Sequence, residues 1–242
     1  MFYFLISPYL TYNLILIAAA VLPALYLMVK VYKSDRLEKE SPSFLWSLTK
    51  AGVFSALIAL VLERILSDLL YSSVSANSTL FRILLYFVVV GVSEEGAKYF
   101  MLKRTSWHSV EFNCLYDGIV YAVFVSLGFA LWENVSYVIH YGFANALVRA
   151  FTAIPGHASF GVFMGVFYSA AKLYEVQREE SRSKFYECIA LFVPVLIHGA
   201  YDYIATLSSQ SGSLYFIIFI AILFFAALKV IREVSQKDRY MV

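Results

Sequence analysis

Seven long apolar runs, separated by short polar stretches, decide what this chain can fold into. They fall at about 5–29, 45–67, 81–102, 116–138, 146–170, 186–207 and 213–232. A helix needs ~20 mostly apolar residues to cross the hydrocarbon core of a bilayer, and backbone in lipid must satisfy its own hydrogen bonds. The runs therefore predict an all-α, polytopic transmembrane helical bundle of about seven spans. Charged residues make up only 15% of the chain, against ~25% in soluble domains, too few to coat a water-facing surface. The 242 residues leave no room for a sizeable soluble domain, so one transmembrane domain over 1–242 is expected.

Basic residues set the orientation. With the N-terminus outside, 30–44, 103–115, 171–185 and the C-terminal tail face the cytoplasm. Sixteen of the 19 Lys and Arg then lie inside or at cytoplasmic helix ends, and three, Arg64, Arg82 and Arg149, lie on the other side. That asymmetry predicts N-out, C-in. The N-terminus has no basic residues before its apolar stretch, so it reads as a retained first helix and not a cleaved signal peptide. Cys114 and Cys188 fall near cytoplasmic helix ends and form neither a disulfide framework nor a CxxC metal motif. No basic patch suggests nucleic acid, and the bilayer is the expected surroundings. The first two spans hold few interior polar groups and read as scaffold, while the seventh is nearly featureless and reads as lipid-facing.

Spans three to six contain groups that lipid should exclude. An ionisable side chain at the bilayer centre costs ~3 kcal/mol or more, so such residues are functional candidates by default. Span three carries Gly91-Val92-Ser93-Glu94-Glu95-Gly96-Ala97-Lys98. Adjacent helical residues point about 100° apart, so the two carboxylates are not expected to share one partner easily. Lys98, four residues after Glu94, can pair with it. Span four carries Glu133 beside Trp132, toward its outer end, and opens with Tyr116 and Asp117 near the cytoplasm. Span five places His157 near mid-span after Pro155, which is expected to open the helix locally. Gly161 and Gly165 follow as a small-residue stripe suited to close helix packing. Span six carries His198 and Asp202, four apart and so on one face, where the carboxylate can orient the imidazole.

Two histidines and a carboxylate permit two hydrolytic designs. In one, His157, His198 and Glu94 hold a zinc ion whose bound water ionises near neutral pH. In the other no metal is needed: a buried glutamate acts as general base on water and histidines stabilise the oxyanion. The residues alone do not choose between them. HExxH, GxSxG and a paired intramembrane aspartate motif are missing from the sequence.

The ordered set Glu94-Glu95-x-x-Lys98, Phe129-x-x-x-Glu133, His157-x-x-x-Gly161 and His198-x-x-x-Asp202 resembles the PrsW family of intramembrane proteases. That family shares a superfamily with type II CaaX prenyl endopeptidases and bacteriocin-immunity CPBP proteins. The resemblance covers about 85–205, the expected catalytic core of spans three to six. It implies a multi-pass protein of the prokaryotic cell membrane that cuts a single-span, membrane-anchored substrate, of which an anti-sigma factor is the type. It also implies that Glu94 and Glu95 are catalytic acids, that His157 and His198 are metal ligands or oxyanion stabilisers, and that Glu133 and Asp202 complete the site. The CaaX branch has an arginine in its first motif and a histidine where Glu133 stands, so the likeness is to the PrsW branch.

Two other classes compete. A proton- or ion-coupled transporter could use the same groups, but no inverted repeat is evident and the polar residues form one patch. A non-catalytic scaffold or immunity-type protein would also fit the composition. One geometric difficulty is plain from the spans: Glu94 falls toward the cytoplasmic half, the histidines fall centrally, and Glu133 falls nearer the outside. Glu133 leaves the site unless helices tilt or break, and Pro155 and Pro194 offer places for that.

Overall fold

The computed structural model describes residues 8–207 and 209–241; the start of the first apolar run, 5–7, lies outside them. The described residues form an all-α structure with no strands. The helices are α1 (Pro8–Ser34), α2 (Pro42–Ser73), α3 (Thr79–Ile83), a π-helical segment (Leu84–Val92), α4 (Ser93–Ser106), α5 (Asp117–Phe151), α6 (Ala153–Val176), α7 (Glu180–Ala205) and α8 (Gln210–Gln236). The α3, π and α4 pieces follow one another without a break. Four stretches are long and apolar enough to cross a membrane: Leu10–Ser34, Asp117–Val176, which holds both α5 and α6, Glu180–Ala205 and Ser211–Gln236.

Helix starts follow from short polar caps. Ser41 accepts from the Phe44 amide ahead of Pro42, Ser78 from Phe81, and Ser209 from Gly212. Each satisfies an amide that the first turn would otherwise leave unbonded.

Helix α5 is the core of the bundle. Every residue from Asp117 to Ala130 is buried, as expected of a helix apolar on all sides. Helices α1, α2 and α6 pack around it. The Gly161/Gly165 stripe expected to pack closely does so. A Cβ on Gly165 would sit 2.5 Å from the Gly118 carbonyl oxygen and the Ile119 Cα, so only glycine lets α5 and α6 cross this closely.

Two boundaries differ from the sequence reading. Span four does not end near 138, and α5 runs on to Phe151 with a sharp bend at Gly142 (φ 78°, ψ −170°). Glycine alone adopts that backbone freely. Span five consequently starts at Ala153 and not at 146. Helix α8, expected to face lipid, is exposed on one side only: Ile217, Ile222 and Phe225 are exposed, while Ala227 and Ile231 pack into the core. Both cysteines are free, Cys114 buried and Cys188 exposed.

The ends of α1, α5 and α8 meet at one pole. The C-terminal tail pairs with the α4–α5 loop through Leu115 N to Arg239 O (3.1 Å) and Met241 N to Asn113 O (2.7 Å). Glu111 accepts from the Ser41 amide and hydroxyl, both at 2.8 Å. In the α1–α2 loop, desolvation, helped by nearby Asp117, pushes the Glu40 carboxyl up to about 9.

Candidate active site

The polar groups of spans three to six come together around one lysine. The π-helical segment delivers the chain into α4, whose first turn holds Glu94 and Glu95. Such wide turns recur at functional sites. Lys98 is i+4 from Glu94 and i+3 from Glu95, so it lies between them. Its Nζ donates to Glu94 Oε2 at 3.0 Å and to Glu95 Oε1 at 2.7 Å. The expectation that the adjacent carboxylates could not readily share a partner is thus overturned, because a long side chain one turn on reaches both. Lys98 and Glu95 are fully buried. The ammonium also lies 3.9 Å from the centre of the Phe129 ring, a favourable cation–π contact in a dry setting.

Helix α6 contributes His157. Its Nδ1 is 3.3 Å from Lys98 Nζ and its Nε2 is 2.8 Å from Glu133 Oε2. An ammonium only donates and a carboxylate only accepts, so Nδ1 accepts and Nε2 carries the hydrogen. His157 is not at mid-helix, as its run suggested. It stands in the second turn of α6, and Pro155 occupies the first turn, where a missing N–H breaks no bond. The late start of α6 brings His157 level with Glu133, which resolves the depth mismatch in the sequence. Arg149, near the end of α5, lies 2.9 Å from Glu133 Oε2, donates through Nε to Asn134 at 2.7 Å, and stacks over Tyr137.

Helix α7 contributes His198 and Asp202. His198 Nδ1 is 2.7 Å from Glu95 Oε1 and 3.9 Å from Glu94 Oε2, and its Nε2 is 3.5 Å from Asp202 Oδ2. Phe160 stacks on the imidazole at 4.7 Å. All six sequence-predicted residues, Glu94, Glu95, Glu133, His157, His198 and Asp202, therefore lie in one contiguous network.

A cavity of about 310 Å³ opens beside this network, bounded by Glu94, Glu133, His157, His198 and Asp202. Glu95 is absent from its wall, held behind by Lys98 and His198. The cavity wall also includes Glu63, Tyr86, Tyr137, Arg149 and Tyr201. Two of these correct the sequence reading. Glu63 brings α2 into the site, so that helix is more than scaffold. Arg149, counted in the sequence only as a marker of orientation, belongs to the network. The signal for Glu63 was available, since it is an acid inside a long apolar run. Nothing in local sequence pairs Arg149 with Glu133, because the bend at Gly142 lies between them.

Residues 40–228 match the PrsW family intramembrane metalloprotease. The chain belongs to the PrsW family. That match extends past 85–205 to take in α2 and most of α8. Three bacterial relatives, each named Protease PrsW, agree. The Halalkalibacterium halodurans protein is 34% identical over 93% of this chain and 99% of its own length. That of Geobacillus kaustophilus is 31% identical over 93% of each chain. The Bacillus subtilis protein is 31% identical over 81% of this chain and 84% of its own. No solved structure matches significantly. PrsW membership makes this chain a membrane-embedded peptidase and a multi-pass protein of the prokaryotic cell membrane.

The metal implied by the family description can be tested against the donors. Glu94, Glu95 and His157 each offer one ligand atom, all within 4.8 Å of one another. Two carboxylates and an imidazole are a fit donor set for a divalent transition ion. The set differs from the one expected, because His198 engages Glu95 instead. Yet Lys98 Nζ already contacts the same three side chains at 2.7–3.3 Å. An ammonium and a divalent ion cannot share that space, so an ion bound by these donors would have to displace Lys98, which they hold as arranged.

Proposed function

We propose that this PrsW protein hydrolyses a peptide bond of a membrane-anchored substrate using Glu94 as the base on water. The observation that carries the reading is the division of labour between the adjacent glutamates: Glu94 borders the cavity and Glu95 is sealed behind it. A carboxylate facing a polar cavity can take a proton from water as that water attacks the scissile carbonyl, then return it to the leaving amine. Glu95 accepts from His198 Nδ1, and as an imidazolium among Glu94, Glu95 and Asp202 this ring also carries an Nε2–H, loosely engaged by Asp202 and placed to meet the developing oxyanion. Arg149 and Glu133 orient His157, and Lys98 balances the acids in a site too dry for free charges. The seven helical rods act as seven spans with N-out, C-in orientation, residues 1–242 form one membrane domain, and 85–205 form its catalytic core. A single-span partner of the anti-sigma-factor type is supported by the motif resemblance.

A second reading follows from the convergence of Glu94, Glu95 and His157. With Lys98 swung out, those donors are free to take zinc, consistent with the family's description as metalloproteases. Cleavage of a library of single-span peptides in proteoliposomes tests the common core of both. Wild-type protein is expected to cleave, and Glu94→Gln and His198→Ala to lose roughly 10²-fold or more while keeping the wild-type helical content. Glu94→Gln protein that cleaves at the wild-type rate would overturn the assignment.

A further inference from the structure

The pole opposite in character to the active site holds a second acidic cluster that the protease reading does not use. Asp35 and Glu40 lie in the α1–α2 loop and Asp117 opens α5. Each offers one oxygen, all within 4.8 Å of one another, and all three residues are buried. Asp117 Oδ2 is committed to the Asn113 and Cys114 amides at 2.9 and 2.6 Å. Its Oδ1 is buried without a hydrogen bond, as are Glu40 Oε1 and, in the adjoining C-terminal tail, Asp238 Oδ2. Asp35 is the decisive group. It is 3% exposed, and neither of its carboxylate oxygens has a hydrogen-bond partner within normal geometry among the described residues; burial pushes its carboxyl up, against the opposing influence of the Lys39 charge and the Leu37 amide. The nearby cation, Lys39, spends its ammonium on the carbonyls of Tyr32, at 2.7 Å, and Asp35.

Buried carboxylates this close repel one another and each forfeits its hydration, a cost of several kcal/mol per ion without a compensating charge. The unpaired oxygens of the converging acids come from the α1–α2 loop and the start of α5, and Asp238 Oδ2 on the tail after α8 stands beside that group, outside the 4.8 Å set. We propose that they form a binding site for one hard divalent cation, Ca²⁺ or Mg²⁺, which clamps the C-terminal tail and the α1–α2 loop onto α5. Donors that are all oxygen select hard cations over zinc. Calcium holds oxygens at 2.3–2.6 Å, so ligands across the ion are about 5 Å apart, and the three oxygens already lie within that span. Magnesium needs a modest contraction and would keep waters.

The test uses the full chain in detergent, stripped with EDTA, and titrated calorimetrically with Ca²⁺ and, separately, Mg²⁺. Trypsin cleavage at Lys237 and Arg239, which flank Asp238, reports the clamp. The expected result is one equivalent of either cation that weakens roughly tenfold or more in Asp35→Asn, with tail cleavage slowed at least about fivefold by cation in wild-type protein only. Asp238→Asn, on the tail itself, gives the same loss if Asp35→Asn fails to fold. Uptake that both variants leave unchanged, or no uptake of either ion at about 1 mM, would overturn the proposal and leave protons as what neutralises the acids.

Discussion

Lys98→Met removes the ammonium that contacts Glu94 and Glu95 while keeping the volume of its stem. In the protein as folded, that ammonium lies 3.0 and 2.7 Å from the two carboxylates with no solvent exposure. Coulomb's law at an effective dielectric of ~20 gives roughly 5–6 kcal/mol for each contact at ~3 Å, before desolvation is subtracted. Breaking a buried pair by deleting one partner costs about 3–5 kcal/mol in measured cases. At ~2–4 °C per kcal/mol for a chain this long, Lys98→Met should melt about 6–20 °C lower in detergent. The double variant with Glu95→Gln should recover part of that, because it also removes a stranded charge. Fluorescence-detected thermal unfolding of the four proteins of this cycle provides the measurement. Zinc supplies a further discriminating arm: it should raise the melting temperature of Lys98→Met, whose donors are now vacant, and leave wild type unmoved. A Lys98→Met protein that melts within ~2 °C of wild type would refute the argument that the ammonium is the site's counter-charge.

Other outcomes follow from the same geometry. Arg149→Leu frees Glu133 and His157 to reorient, so kcat for peptide cleavage should fall roughly 10–100-fold with KM little changed in steady-state assays. Glu95→Gln should lower activity less than Glu94→Gln, because Glu95 acts through His198, and progress curves on one peptide rank the two directly. Gly165→Val places side-chain atoms into the Gly118–Ile119 backbone and should cost at least about 1–3 kcal/mol; thermal unfolding reads this as a lower midpoint, whereas Gly96→Ala, whose Cβ would meet nothing within 4 Å, should be close to neutral.

Much of this was legible in the residues themselves. Long apolar runs mark the helices because lipid and a helical core make the same demand on composition, and acids or histidines inside such runs stand out because burying them is costly. What the runs hid was register. Gly142 falls in the expected connection between spans four and five, yet its positive φ lets α5 continue to Arg149 and delays α6, which puts His157 opposite Glu133. Pro155 looked like a mid-span break because the start of α6 was placed too early. Lys98 was visible as an ion-pair partner of Glu94, but its contact with His157 is tertiary and leaves no mark on sequence spacing. Glu63 was passed over because α2 otherwise looks like scaffold. The acids at the α1–α2 loop and the tail could not be grouped from sequence, since Asp35, Asp117 and Asp238 are far apart along the chain.

The most direct test of the central claim is the cleavage rate of one preparation before and after exhaustive chelation, with zinc content measured on the same sample. With Lys98 filling the donor set and Glu94 activating water, the chelated protein should hold no stoichiometric zinc and cleave at the original rate. About one zinc per chain, with cleavage lost on its removal and restored by its return, would contradict that account and establish the metal-bound site in its place.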